Sequence, residues 1–360
     1  MDQGASVMLD LVRVVVAQIV VVTHCADILG EVNYPADRFF AEWGAIAIVI
    51  FFVLSGYVIA YSTLRRIQSG GDAYGFRDYF LERFVRIYTT LLTGMVFLGL
   101  LSLVAYFVWQ TPLSTVKWND AIGNVLMIVN HPVLIQLRKS VDASWIGFFE
   151  FKYWGGSLPV WTLSIEWWMY MCFGWILLAK SRSWYFWPVL ILMGISPLME
   201  LIYGSRLQPG LPFFWCLGIA AVLMSNNLWK LPVIWSRLLM TICVFIILLA
   251  GSYIGWRVAG LVFFVFLMLT LSFYRNRETN ISPRFSKIVK FMSGYSFMIY
   301  IVHFPVVQFV GYMNLPMSPV FCMTLAFVLS NVVSLGLALP TEMRYKQIRS
   351  YIFNRLRMNS

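Results

Sequence analysis

The sequence predicts an all-α fold, a polytopic membrane helical bundle of about ten transmembrane helices with both termini in the cytoplasm. Three observations predict it. Of the 360 residues, 60% are hydrophobic and only 12% are charged, whereas a soluble domain carries about 25% charged residues. Long apolar runs recur from one end of the chain to the other, and the basic residues concentrate in alternate connections between them. The chain therefore lacks the polar groups that would cover a soluble surface.

Ten apolar runs approach the roughly 20 residues that a helix needs to cross about 30 Å of hydrocarbon. They lie at about 7–27, 40–61, 87–109, 161–179, 184–203, 211–227, 233–253, 256–274, 291–311 and 317–338. The first run contains Arg13, and no small-residue cleavage site follows it, so we expect a retained span and not a signal peptide. We expect one membrane domain at 1–340, with a long outer loop at about 110–160, and a basic cytoplasmic tail at 341–360.

The basic residues orient the predicted spans. If the N-terminus is cytoplasmic, 19 of the 27 Lys and Arg residues fall in inner segments and 7 in outer segments, while Arg13 lies within the membrane. This asymmetry favours cytoplasmic termini. Because the basic residues flank membrane spans, the net charge of +11 indicates contact with membrane lipids and not with nucleic acid. The five cysteines lie in apolar stretches without CxxC or metal-ligand spacing, so we expect no metal site.

The first span contains two ionisable residues, Arg13 and His24. Ionisable residues within a span are costly and indicate a functional site. Their separation of eleven residues, at about 100° each, brings both to one helix face, roughly 16 Å apart along the axis. The alternative is structural, because Arg13 would then reach the inner headgroups and His24 would cap the outer end of the span.

Glu166 lies six residues into the fourth span, at about the depth predicted for His24. A carboxylate hydrogen-bonded to a histidine fixes its tautomer and stabilises the imidazolium, so the two residues would act together. Alternatively, Glu166 is an interface glutamate that faces water. His303 lies in the ninth span, with Tyr300 three residues before it, and is either a site residue or a buried core histidine beside a proline kink.

Four further candidates lie towards the inner side. Ser55 and Gly56 come late in the second span, where glycine permits the close approach of a helix or a ligand. Arg83 and Arg86 are three residues apart on an amphipathic helix at 76–86, which we expect to lie in the interface and to lead into the third span. The pattern leaves open whether the serine and glycine serve packing, and whether the arginines bind lipid headgroups or a phosphate ligand.

Five segments, in order along the chain, together resemble the acyltransferase-3 family of membrane-bound acyltransferases. They are LDLVRVVVAQIVVVTH, FFVLSGYVIA, FLERFVRIYTT, LPVWTLSIEWWMY and YSFMIYIVHFP. The resemblance implies transfer of an acyl group, often acetyl, from cytoplasmic acyl-CoA to an extracytoplasmic or lipid-linked sugar. It also implies acyl-CoA as a co-substrate with no permanently bound cofactor, a sugar, polysaccharide or glycolipid acceptor, and a location in the bacterial inner membrane.

The family's functional residues match this sequence position by position. The matching residues are the Arg–His pair Arg13 and His24, the Ser–Gly pair Ser55 and Gly56, the helix arginines Arg83 and Arg86, and the Trp-Ser-Glu residues Trp161, Ser164 and Glu166. Thr89 stands where the family often has proline, which leaves the local helix start open. Many relatives carry an extracytoplasmic hydrolase-like domain, and we expect this protein to bind its acceptor with the membrane domain alone. The absence of GxGxxG, Walker, HExxH and GxSxG motifs also argues against chemistry on a soluble lobe.

The resemblance and the predicted depths suggest a mechanism. We predict catalysis by His24, Glu166 and Arg13, with His24 either a general base on the sugar hydroxyl or the residue that first accepts the acyl group. We predict acyl-CoA binding by Arg13, Ser55, Gly56, Arg83 and Arg86. We predict acceptor binding by Trp161, Ser164, Trp145, Trp154, Tyr300 and His303, although an aromatic belt explains most of the tryptophans equally well. The competing class is a secondary transporter or flippase, against which the spans show no inverted repeat.

Overall fold

The computed structural model confirms the all-α class. It describes residues 3–30, 36–70, 74–112, 116–129, 131, 133–135, 151–179, 183–203, 208, 210–225, 232–274 and 281–358. Across these ranges the regular structure is helical and includes no strand. Trp145 lies outside them, as does the middle part of the predicted outer loop.

The helices follow the apolar runs closely. They are α1 Gln3–Leu29, α2 Ala36–Gly70, α3 Phe76–Trp109, α4 Trp118–Val125, α5 Val160–Leu178, α6 Phe186–Tyr203, α7 Leu211–Met224, α8 Val233–Leu249, α9 Trp256–Tyr274, α10 Pro283–Ser293, α11 Ser296–Tyr312, α12 Pro319–Ala338 and α13 Tyr345–Met358. Single 3₁₀ turns occupy Trp154–Gly156 and Glu342–Arg344, and a π turn occupies Ala250–Ile254. Each of the ten predicted spans therefore overlaps a helix, although 291–311 begins in α10 and continues into α11, and 233–253 runs from α8 into the π turn.

Several of these helices are long and apolar enough to cross a bilayer. Five pass on length and hydropathy alone, namely Gln3–Leu29, Phe40–Ser69, Phe76–Trp109, Trp256–Tyr274 and Pro319–Arg355. Another span is formed if α10 and α11, which follow each other after a break of two residues, cross together. Three further apolar helices are shorter. Large apolar side chains are also exposed, such as Phe107 at 72% and Ile234 at 74%. Lipid contact accounts for such exposure, so the protein is an integral membrane protein, whereas the count of ten crossings stays a prediction.

The segment 76–86 is helical and leads into the predicted third span, as expected, and it does so as the first part of α3 without a break. α3 runs as one helix of 34 residues, or about 51 Å, which exceeds the hydrocarbon thickness. Thr89 lies within it, and unlike the proline common at this position it keeps the backbone N–H that continues the helix. The amphipathic turns therefore extend α3 beyond the apolar part of the span.

The chain divides into two compact units. Unit 1 comprises Met1–Gln68 and Gly210–Ser296, and unit 2 comprises Ser69–Pro209 and Phe297–Ser360. In unit 1, α9 packs along α8, and α1 contacts both α9 and α10. In unit 2, α5 packs against α3 and α6, while α12 and α13 also contact α3.

In unit 1, glycines allow α2 and α7 to touch through their backbones. A Cβ atom added to Gly56 would lie 2.0 Å from the carbonyl oxygen of Trp215. A Cβ atom added to Gly218 would lie 2.1 Å from the carbonyl oxygen of Val53. Small residues permit such close crossings of membrane helices, so this pair of glycines fixes the distance between the two helices.

In unit 2, side-chain hydrogen bonds to backbone carbonyls join the helices. The Tyr79 hydroxyl of α3 donates to the carbonyl of Tyr170 in α5 at 2.9 Å. The Ser157 hydroxyl, just before α5, donates to the carbonyl of Ile301 in α11 at 2.6 Å. At the start of α11, the backbone N–H of Met298 donates to Glu342 Oε2 at 2.8 Å, so a buried carboxylate caps this helix at its positive end.

Candidate active site

A polar stripe runs along α5 in unit 2. Thr162, Glu166 and Tyr170 are spaced four residues apart and therefore lie on one face of the helix. The Tyr170 hydroxyl donates a hydrogen bond to Glu166 Oε1. The Thr162 hydroxyl shares a hydrogen bond with the hydroxyl of Tyr300 on α11. Each of these hydrogen bonds therefore pairs a predicted site residue, Glu166 or Tyr300, with a residue that the sequence reasoning passed over.

Ser164 is the residue of this region best placed to receive a new hydrogen bond. Its side chain is buried, with 4% of the residue exposed, and its Oγ has no hydrogen-bond partner among the residues that the structure describes. An unpaired buried hydroxyl costs about 1–3 kcal/mol unless a ligand or water satisfies it. Trp161 is equally buried at 4%, so its ring is packed within the protein and is not part of a surface belt.

His303 lies on α11, one turn after Ile299, whose backbone carbonyl accepts its hydrogen bond. It has no solvent exposure, and its Nδ1 is 2.7 Å from the carbonyl oxygen of Ile299. A carbonyl accepts only, so Nδ1 carries the proton, and in a neutral imidazole Nε2 is then the acceptor. The centroids of the Tyr300 and His303 rings are 6.4 Å apart. The structure therefore brings these two predicted acceptor residues together within unit 2.

A buried carboxylate organises the arginines at the start of α3. Glu82 has a side chain with 4% exposure, and its Oε1 lies 3.3 Å from Nη1 of Arg349. Its Oε2 lies 3.8 Å from Nη2 of Arg83 and accepts a hydrogen bond from the Tyr74 hydroxyl at 3.2 Å. The guanidinium of Arg86 lies 4.9 Å from the ring centroid of Tyr345. The sequence reasoning singled out the arginines of α3 and missed Glu82 and the two residues of α13, which are remote in sequence.

In unit 1, Arg13 and His24 lie on the unbroken helix α1, so the predicted shared face and separation of roughly 16 Å hold for a straight helix. Arg13 Nη1 is 3.5 Å from Oδ1 of Asp10, one turn earlier on the same helix. Asp27 follows His24 by three residues on the same helix, so the two residues lie on similar faces of α1. Asp27 is a carboxylate that the sequence reasoning missed, although its spacing of three residues is visible in the sequence. His24 and Glu166 belong to different units, and their pairing stays a prediction.

Three other predicted residues have identified surroundings. Gly56 faces the carbonyl of Trp215 at the crossing of α2 and α7, which accounts for a glycine there by packing. Ser55, next to it, is half-buried. Trp154 donates from Nε1 to the carbonyl of Met95 at 2.7 Å, which anchors the end of the predicted outer loop to α3. The roles of Ser55 and Gly56 in acyl-CoA binding, and of Trp154 and Trp145 in acceptor binding, stay predictions.

The fold and its charged clusters define an integral membrane protein that holds ionisable groups within apolar helices. The model of the acyltransferase-3 family, described as an acyltransferase domain, matches residues 7–342. The chain therefore belongs to the acyltransferase-3 family, and the protein is a membrane acyltransferase. No curated protein and no solved structure matches it significantly. The matched residues end within the 3₁₀ turn Glu342–Arg344, so α13 lies beyond them.

Proposed function

We propose that the protein transfers an acyl group, in the simplest case acetyl, from cytoplasmic acyl-CoA to a hydroxyl of an extracytoplasmic or lipid-linked sugar. The proposed setting is the bacterial inner membrane, with both termini in the cytoplasm. The observation that carries the proposal is the cluster of guanidinium groups around buried Glu82, in a chain whose family transfers acyl groups. CoA is a polyanion, and guanidinium groups bind phosphate through paired, charge-assisted hydrogen bonds.

The donor would bind at the start of α3. Arg83 has a side chain with only 11% exposure, and its guanidinium lies 5.5 Å from the ring centroid of Tyr79. Arg86 rests against the ring of Tyr345. Each guanidinium is therefore held by an aromatic face, which orients it before the phosphates arrive and lowers the entropy lost on binding.

The transfer step would use His24. Its imidazole takes the proton of the acceptor hydroxyl as that oxygen attacks the thioester carbonyl. The new C–O bond forms, the C–S bond breaks, and the CoA thiolate leaves and receives the proton from the imidazolium. A carboxylate would stabilise the imidazolium in between. We assign this role to Glu166, and Asp27, three residues after His24 on the same helix, is the alternative. In a variant of this route, His24 forms an acyl-imidazole before the acceptor attacks.

The acceptor would contact the polar groups of unit 2. Sugar hydroxyls both donate and accept hydrogen bonds, as do Thr162, Tyr170 and Tyr300 of the polar stripe. Ser164 offers a buried hydroxyl without a partner among the described residues. Indole rings such as that of Trp154 provide a flat apolar face of the kind on which a sugar ring can stack.

The test is mass spectrometry of surface polysaccharide and glycolipid from cells with the gene, without it, and complemented with variants. Loss of one acyl group on deletion, restored by the wild-type gene, is the expected result. His24→Ala should fail to restore it, whereas His131→Ala, which changes a histidine with no proposed role, should restore it fully. An unchanged acylation pattern on deletion, together with no binding of acyl-CoA to the purified protein, would leave a transporter as the better explanation.

A further inference from the structure

A third guanidinium, that of Arg349, lies beside Arg83, Arg86 and Glu82, although it comes from a helix remote in sequence. α13 packs on α3 within unit 2, which brings Arg349 to 3.3 Å from Glu82 and places the Tyr345 ring under Arg86. α13 begins after residue 342, where the family match ends. These two residues therefore belong to a segment outside the part of the chain that the family shares.

The charges of this cluster do not balance. Glu82 is a single carboxylate shared by Arg83 and Arg349, and it can neutralise one positive charge. Within the parts of unit 2 that the structure describes, no carboxylate lies at ion-pair distance from Arg86. The three arginines and Glu82 therefore carry an excess of two positive charges at a partly buried position. Such an excess is costly without a counter-anion.

Some N–H groups of these arginines also remain available for hydrogen bonds to a ligand. The Nε of Arg83 is buried and has no hydrogen-bond acceptor among the described residues. Arg349 bonds to Glu82 through one nitrogen, while 30% of its side chain remains exposed. A guanidinium has five N–H donors in a planar arrangement, so both arginines retain donors that suit the several oxygens of a phosphate group.

We propose that Arg349 is a donor-binding residue that joins Arg83 and Arg86 in binding the phosphates of acyl-CoA. Glu82 is the positioning residue, because it holds Arg83 and Arg349 on its two oxygens. The inference rests on the proposed function, since it assigns a further residue to the same donor site. The chemistry recognised is a phosphate ester, which a phospholipid headgroup also offers, and the experiment separates these two sources.

The experiment measures CoA binding by calorimetry to the full-length protein in detergent, for the wild type, Arg349→Ala, Arg349→Lys, Arg83→Ala and Arg355→Ala. Arg349→Ala should weaken binding by about ten- to a hundredfold, with a shallower dependence on salt, because one charge-assisted contact is lost. Arg349→Lys should recover part of the affinity, because it keeps the charge. Arg355→Ala is the matched control, because Arg355 lies on the same helix and also packs against an aromatic ring. Arg355 contacts Tyr351, as Arg349 contacts Phe353. This variant should bind CoA as tightly as the wild type does.

The other outcomes would refute the role of Arg349, the acyl-CoA site or the source of the phosphate. Unchanged affinity in Arg349→Ala with a loss in Arg83→Ala would refute the role of Arg349 and leave the donor site standing. Unchanged affinity in both would remove the donor site itself. If Arg349→Ala keeps its CoA affinity but loses the thermal stabilisation that phosphatidylglycerol gives the wild type, the phosphate is that of a lipid. An affinity loss that is independent of salt and not recovered by lysine would indicate lost packing of α13.

Discussion

Replacing Gly56 by alanine tests whether this glycine serves the helix crossing. The added Cβ would stand 2.0 Å from the carbonyl oxygen of Trp215 and 2.9 Å from its carbonyl carbon. Close contacts between carbon and a carbonyl oxygen are about 3.3 Å long, so α2 and α7 would have to separate locally by about 1 Å. Overpacking costs about 1–3 kcal/mol, and we expect the upper end of this range because a backbone atom cannot rotate away.

The measurement is the unfolding temperature of the purified protein in detergent, with acyl-CoA affinity measured in parallel. Gly336→Ala is the matched control, because this glycine also lies inside a helix, α12, and an added Cβ would meet nothing within 4 Å. Both alanines gain about 1 kcal/mol of helix propensity, so the difference between the variants isolates the steric cost. Gly56→Ala should unfold several degrees lower than the wild type, and Gly336→Ala at the same temperature or higher.

One pattern of results would refute helix packing as the role of Gly56. If Gly56→Ala unfolds at the wild-type temperature but binds acyl-CoA more weakly, the glycine makes room for the donor and not for Trp215. Gly218→Ala provides an independent check, because its Cβ would meet the carbonyl oxygen of Val53 at 2.1 Å across the same crossing. It should lower the unfolding temperature by a similar amount.

Three further predictions concern the transfer chemistry and, in unit 2, the stability of the fold. His24→Ala should lower acyl transfer by about 10²–10⁴-fold at an unchanged unfolding temperature, and retention of more than about a tenth of the transfer would show that another group is the base. Glu166→Gln should lower the measured rate of acyl transfer, because the amide carries no charge to stabilise the imidazolium; if Asp27→Asn lowers this rate and Glu166→Gln does not, Asp27 is the stabilising carboxylate. Glu342→Gln should destabilise the protein by about 1–3 kcal/mol, measured by thermal unfolding, because the amide keeps only one acceptor oxygen for the two backbone N–H groups it caps; an unchanged unfolding temperature would contradict this role.

The helices could be predicted from the sequence because their length and composition are local properties. The predicted span 256–274 has the bounds of α9, Trp256–Tyr274. The span 233–253 is less accurate, since α8 ends at Leu249 and a π turn follows. A Cβ on Gly251 in this turn would lie 2.4 Å from the Trp43 ring, so a contact with a remote helix fixes the backbone there. Apolar periodicity carries no information about such a contact.

The candidate site could be predicted only where its members are close in sequence. The pair Arg83 and Arg86 is visible from a spacing of three residues, and Tyr170 with Glu166 from a spacing of four. By contrast, Arg349 reaches Glu82 across most of the chain, and only the packing of α13 on α3 reveals the pair. A glutamate within an arginine-rich helix also suggests a simple surface ion pair, whereas its 4% exposure shows that it lies inside the protein.

The unbroken length of α3 has a mechanical consequence. A regular helix bends little, so its ends move as parts of one rod. Arg83 lies near one end, and Met95, whose carbonyl holds the indole of Trp154, lies twelve residues or about 18 Å further along. A tilt of about 5° about the arginine end would carry the anchor of Trp154 by roughly 1.6 Å. Any tilt of α3 that accompanied phosphate binding by Arg83 and Arg86 would therefore displace the end of the predicted outer loop directly, without a chain of intervening side chains.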